Sequence, residues 1–186
     1  PQVSMQTLKE FSFDKNEEGW KIISAKAVDD QLIKFDSNNG KNQLGSIVTV
    51  RSGGRFPTAR LTSGPVAMKE NHLYVISGFL KTDRKLASRE RDGFLRVDFY
   101  ADDPDLENLG IRTDVSSRVY DTDDWTLKKI TDVAPKGAKF VTVSIGIGAG
   151  KMGADDIVIE ESNDEVPDPI ASPPYTKDFI DPSYIY

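Results

Sequence analysis

The sequence has no cysteine and a single histidine, His72. Without thiols, neither a disulfide framework nor a thiolate metal site can form, and one imidazole is too few for a histidine-based zinc site. It is also a poor foundation for Ser-His-Asp chemistry. Basic residues are outnumbered, 24 Lys and Arg against 30 Asp and Glu, which leaves a net charge of −6. Phosphate backbones are gripped by clustered Lys and Arg, so no nucleic-acid partner is expected. No run approaches the roughly 18 apolar residues of a membrane helix, and the N-terminus shows no basic stretch followed by an apolar one. Membrane insertion is therefore not expected. A chain that opens on Pro1 reads as a trimmed or mature piece.

What the sequence does contain is alternation. Its 186 residues suit one domain, a size at which roughly 70% of the unfolded chain's surface is buried on folding. Apolar and polar residues alternate in short runs broken by Gly, Asn, Asp and Pro, which predicts half-buried strands joined by turns. Strands are expected at Gln6–Phe13, Trp20–Val28, Gln31–Phe35, Ser46–Val50, Thr58–Leu61, Gly64–Met68, Tyr74–Thr82, Phe94–Ala101, Arg112–Val119, Thr126–Asp132, Phe140–Ile147 and Ala154–Glu161. So many short strands predict an all-β fold, a jelly-roll β-sandwich of two antiparallel sheets. The sandwich is expected over residues 1–161. Residues 162–186 read as an acidic, Pro-rich linker or tail, which has too little to bury to offset the entropy of ordering. Its aromatics Tyr175, Phe179, Tyr184 and Tyr186 either fold back or open a further domain.

Two strands define a candidate face. In Phe94–Ala101, Leu95, Val97 and Phe99 share the core side, so Arg96, Asp98 and Tyr100 take the other. In Phe140–Ile147, Val141, Val143 and Ile145 point one way and Thr142 and Ser144 the other. An aromatic, a guanidinium and a carboxylate on an exposed sheet face suit a sugar ring and its hydroxyls. Phe79, from what the sequence order makes the neighbouring strand, is expected to join them. Trp20 is a further candidate platform, with a core position as the alternative, while Trp125 is expected in the core and His72 in an exposed turn.

Other motifs fail their own tests. Gly146 to Gly153 is glycine-rich but lacks the spacing of a phosphate loop, and a strand rather than a helix follows it. The acidic cluster Asp102, Asp103, Asp105 and Glu107 lacks the glycine and the closing glutamate of a calcium loop. Glycoside hydrolysis needs two carboxylates in one cleft, and no compact catalytic strand of the jelly-roll lyase or glucanase kind occurs.

The order of signals from Phe11 to Glu160 resembles the family 4, 9, 16 and 22 group of carbohydrate-binding modules. The resemblance is carried by Phe11-x-Phe-Asp14 with Gly19-Trp20, by Gly45 to Val50, and by Tyr74 to Lys81 with its Ser77-Gly78-Phe79. Trp125, Pro135-x-Gly137-Ala138 and the closing Asp155-Asp156-Ile157 follow in the same order. It implies a non-catalytic module, secreted or at the cell surface and part of a larger multidomain protein, that targets an attached enzyme or surface assembly to a polysaccharide or oligosaccharide. It also implies a structural calcium ion held by Asp14 and Asp155 with backbone oxygen from the loop between Asp36 and Gly45. The alternatives are a structural or adhesive sandwich of a cell surface or virion, and a jelly-roll polysaccharide lyase or hydrolase.

Overall fold

The computed structural model describes residues 2–24, 31–37, 39–51, 59–82, 93–102, 110–117, 119, 124–146 and 150–167. Strands β1 (Met5–Phe11), β3 (Gln31–Asp36), β4 (Ser46–Arg51), β7 (His72–Thr82), β10 (Thr126–Val133) and β12 (Gly150–Glu165) make the first sheet. Its order is β10, β7, β12, β4, β3, with β1 also paired to β12. Strands β2 (Lys21–Ser24), β5 (Ala59–Thr62), β6 (Val66–Ala67), β8 (Leu95–Tyr100), β9 (Arg112–Val115) and β11 (Phe140–Gly146) make the second. Its order is β2, β5, β11, β8, β9, with β6 also on β11. All pairings among the described strands are antiparallel. The fold is the all-β jelly-roll sandwich that the alternation predicts.

The core forms where the apolar phases of the two sheets meet. Tyr74, Ile76 and Leu80 of β7 and Ile157 and Ile159 of β12 face Leu95, Val97 and Phe99 of β8 and Val141, Val143 and Ile145 of β11, all fully buried. Gly78 continues the core phase of β7. A Cβ there would stand 2.7 Å from Ile157 Cγ1, so the isoleucine fills the place a side chain would take. Phe11, Phe13 and Trp20 close one region of the core, with ring centroids 5.4 and 5.5 Å from the indole.

The long strand β12 changes partner midway. On one side it follows β7; on the other it pairs with β4 over Gly150–Ala154 and with β1 over Ile157–Ser162. The exchange coincides with a bulge between Asp155 and Val158, where Asp156 takes a left-handed φ of 46°. An extra residue bends a strand and lets its ladder stop and restart.

A polar clasp joins the terminal strands β9 and β10 across one side of the sandwich. Arg112 Nη2 donates to Asp114 Oδ2 at 2.9 Å and to the Val133 carbonyl at 2.7 Å, and lies 3.6 Å from Asp132 Oδ2. The buried Tyr74 hydroxyl donates to Asp114. Burial, with the Asp114 carboxylate beside it, holds this phenol well above its ordinary value, so it remains a donor.

Two expectations change here. β12 runs on to Glu165, four residues past the boundary expected at 161. The acidic composition there misleads, because Ser162 is buried and its hydroxyl accepts the Leu73 N–H at 2.9 Å, and Val166 N donates to the Asn71 carbonyl at 2.9 Å. His72 is no exposed turn residue: it opens β7, buried, with Nδ1 2.7 Å from the Ser162 carbonyl oxygen. The aromatic stretch 175–186 lies outside the described residues.

Candidate functional site

The outward face of the second sheet gathers Arg96, Asp98, Tyr100, Thr142 and Ser144, as the alternation predicts. Register sets their neighbours. One cross-strand row runs Lys21, Thr62, Ser144, Arg96, Val115, from β2 to β9. The next runs Thr142, Asp98, Thr113. Strands lie about 4.8 Å apart, so each row sets one side chain per strand along a line perpendicular to the chain direction.

The expectation of a wet face is corrected. Thr142 and Ser144 are fully buried, Asp98 is 2% exposed and Tyr100, paired opposite Phe140, only 6%. These residues stand on interior strands of the sheet, β11 and β8, with a neighbour on each side. The hydroxyls of Thr62, Thr142 and Ser144 are buried and have no hydrogen-bond partner among the described residues. Each such group costs about 1–3 kcal/mol in desolvation. Three on one face form a built feature of the molecule, because buried polar side chains are ordinarily paired.

Asp98 is held firmly. Arg96 Nε donates to its Oδ2 at 3.0 Å and Nη2 to its Oδ1 at 3.0 Å, while the Thr113 hydroxyl donates to Oδ1 at 2.6 Å. The guanidinium is about one-third exposed, so it reaches from the buried carboxylate toward solvent. The face thus presents the Arg96 guanidinium to solvent, while the Asp98 carboxylate and the hydroxyls of Thr62, Thr142 and Ser144 are shielded in fixed positions beside it.

Two other candidates lie elsewhere. Phe79 belongs to β7 in the first sheet, because successive strands β7 and β8 fall in different layers, and the Lys41 ammonium covers its ring at 3.8 Å from the centroid. Trp20 is 2% exposed inside the Phe11–Phe13 cluster, so its faces are already packed and it is no platform. Trp125, expected in the core, instead lies half-buried on Gly153, where a Cβ would come within 2.8 Å of its ring. Thr62 and Thr113 escape sequence reasoning altogether. Their face is legible from alternation, but only strand pairing puts them beside Ser144 and Asp98.

An oxygen-rich corner lies at the bulge of β12. A Cβ on Gly40 would stand within 2.8 Å of the Leu44 and Gly45 carbonyl oxygens and of Asp155 Oδ2, so only glycine fits there. The buried Asp155 carboxylate accepts the N–H groups of Lys41 and Asp156, each at 2.8 Å. Desolvation, helped by the negative charges of Asp156 and Asp14, pushes its pKa up to about 6 against those two hydrogen bonds. Ser46, which follows Gly45, has a buried hydroxyl without a partner among the described residues. Asp14 itself is exposed. Among the described residues no group of three or more His, Cys, Asp or Glu converges on a metal position. The oxygens that meet around Gly40 are one carboxylate and two carbonyls, of which the Leu44 carbonyl also accepts the Gly40 N–H at 2.7 Å; an all-oxygen set fits a hard cation and no soft one.

No family model and no curated protein matches the sequence. Solved structures do. The CBM22-1–GH10 segment of Clostridium thermocellum xylanase 10B, complexed with xylohexaose, is similar with a TM-score of 0.61 at 19% identity, over 83% of this chain and 28% of that one. The CBM22-1 xylan-binding domain of Paenibacillus barcinonensis Xyn10C is similar with a TM-score of 0.59 at 13% identity, over 87% of this chain and 98% of the domain. The enzymatically active domain of tailspike protein 4 of bacteriophage CBA120 is similar with a TM-score of 0.58 at 11% identity, over 80% of this chain and 20% of that one. This chain therefore has the sandwich of the carbohydrate-binding modules, in agreement with the resemblance carried by its sequence. It spans less than a third of the xylanase and most of the isolated domain.

Proposed function

We propose that the chain is a non-catalytic carbohydrate-binding module and that the outward face of its second sheet holds a polysaccharide. The observation that carries this is the set of buried, unpartnered hydroxyls of Thr62, Thr142 and Ser144 beside the fixed Arg96–Asp98 pair. Sugar hydroxyls both donate and accept, so a chain laid across the strands meets the solvent-reaching Arg96 guanidinium directly, and bonds the shielded hydroxyls of Thr62, Thr142 and Ser144 only where it displaces what covers them. Asp98 serves as acceptor, Arg96 as donor, and Tyr100 as a largely buried support at the margin. Hydrolysis would require a second carboxylate roughly 5–10 Å from the first, whereas on the described rows Asp98 has hydroxyls and a guanidinium for neighbours. The fold shared with xylan-binding modules supports the same reading.

The role that follows is to hold an attached enzyme or surface assembly against its polymer outside the cell, where tethering raises local concentration without any new contact. Calcium is proposed at the β12 bulge, with Asp155, the Leu44 and Gly45 carbonyls and the Ser46 hydroxyl as ligands and Asp14 adding charge. Such an ion supplies positive charge that relieves the crowded carboxylates, and binding to the folded chain alone stabilises it by mass action.

A glycan array followed by calorimetry on soluble xylan and related polymers tests the function. Binding that is lost in Arg96→Ala and Ser144→Ala supports it. A blank array would favour the second reading, an adhesive or structural sandwich.

A further inference from the structure

The hydroxyl face does not stop at the edge of its sheet. The row Lys21, Thr62, Ser144, Arg96 ends on Val115 of β9, the terminal strand of the second sheet. Beyond it, between β9 and the terminal strand β10 of the first sheet, lies a groove of about 510 Å³. That volume is within the range of ligand sites, roughly 300–1,000 Å³.

We propose that this groove is an additional polysaccharide subsite, entered as the sugar chain passes over the rim of β9. The inference rests on the reading of the face as glycan-binding. Continuity is the first support: Thr113 lines the groove and also donates to Asp98 on the face, at 2.6 Å. The second is the lip. Val115 is 55% exposed, an apolar shoulder on which the carbon face of a pyranose can rest as the chain turns.

The lining is the third support. Ser117, Lys129, Thr131 and Asp132 bring hydroxyls, an ammonium and a carboxylate to one concavity. The two walls are also terminal strands, each carrying backbone groups not paired along the sheet. A polyol that donates and accepts at every carbon matches such a lining. The floor is rigid, because Asp114 is fixed by Tyr74 and Arg112, and Arg112 reaches the Val133 carbonyl on the far wall. A groove held open in this way needs no reorganisation to receive a chain. An extended peptide could pair with these edges too, but it would make no use of the hydroxyl row that leads into the groove.

Chain length is the discriminating variable. The full chain is titrated with xylo-, cello- and manno-oligosaccharides, each from disaccharide to hexasaccharide, alongside the double variant Lys129→Ala/Thr131→Val. Both positions are exposed, so folding is preserved, and matched melting curves check this. The expected result is that affinity climbs with length in the parent protein, and that the gain of the longest oligosaccharides falls about tenfold in the variant, the loss of one or two hydrogen bonds. Binding of the short oligosaccharides stays unchanged. An unchanged length dependence in the variant, or a parent affinity that levels off at short chains, would overturn the groove and leave the face standing. No binding by any series, long or short, would overturn the face and the groove together.

Discussion

A side chain buried without a partner carries opposite consequences for stability and for binding. Replacing Thr142 by valine removes a desolvated hydroxyl that nothing among the described residues satisfies. Folding stability should therefore hold or rise by up to about 1 kcal/mol, while polysaccharide affinity drops by about 1–2 kcal/mol. Thermal melts and calorimetry read the two effects separately, and a loss of stability without a loss of affinity would make the hydroxyl structural. Asp155 yields a second prediction. Its folded pKa, about 6, lies above the unfolded value near 4. The folded state holds the proton longer, so this contribution is complete below pH ~4 and is lost as pH rises through ~6. In chelator, urea midpoints should fall across that window, calcium should restore them, and Asp155→Asn should flatten the slope. Parallel profiles for parent and variant would refute this.

Strands were legible in this sequence, and their partners were not. Alternation separates Leu95, Val97 and Phe99 from Arg96, Asp98 and Tyr100 with no other information. Pairing is non-local. Phe79 lies on the strand that precedes β8 in sequence yet belongs to the opposite layer, and Thr62 reaches Ser144 only through the β5–β11 register. Composition also misled at the end of β12, where Ser162 reads as linker but is buried and bonded. A chain ending at Glu161 would lack Ser162, whose hydroxyl accepts the Leu73 N–H and whose carbonyl faces His72. Relative to a chain ending at Pro167 it should lose about 2–3 kcal/mol, the sum of these bonds and of Val166 to Asn71. Equal urea midpoints for the two chains would show that this strand end is dispensable.

In the whole molecule, the two sheets are joined by apolar packing and by one described polar clasp. Tyr74→Phe removes the hydroxyl that Asp114 accepts, and leaves a carboxylate near the core with Arg112 as its remaining partner. Stability should fall by about 1–3 kcal/mol, with the face and its sugar affinity intact, as paired melting and binding measurements would show. The exchange of partners along β12 has a mechanical consequence. Because β1 takes the second half of β12 in antiparallel register, Met5 opposite Ser162, the chain enters and leaves the sandwich side by side, with Asn163 N donating to the Ser4 carbonyl at 2.9 Å. Tension applied through the two flanks would pull across this ladder and open its bonds in succession, starting from the Ser4–Asn163 pair. The β1–β12 seam would then peel at low force, while the layer interface and the polymer-holding face remain closed.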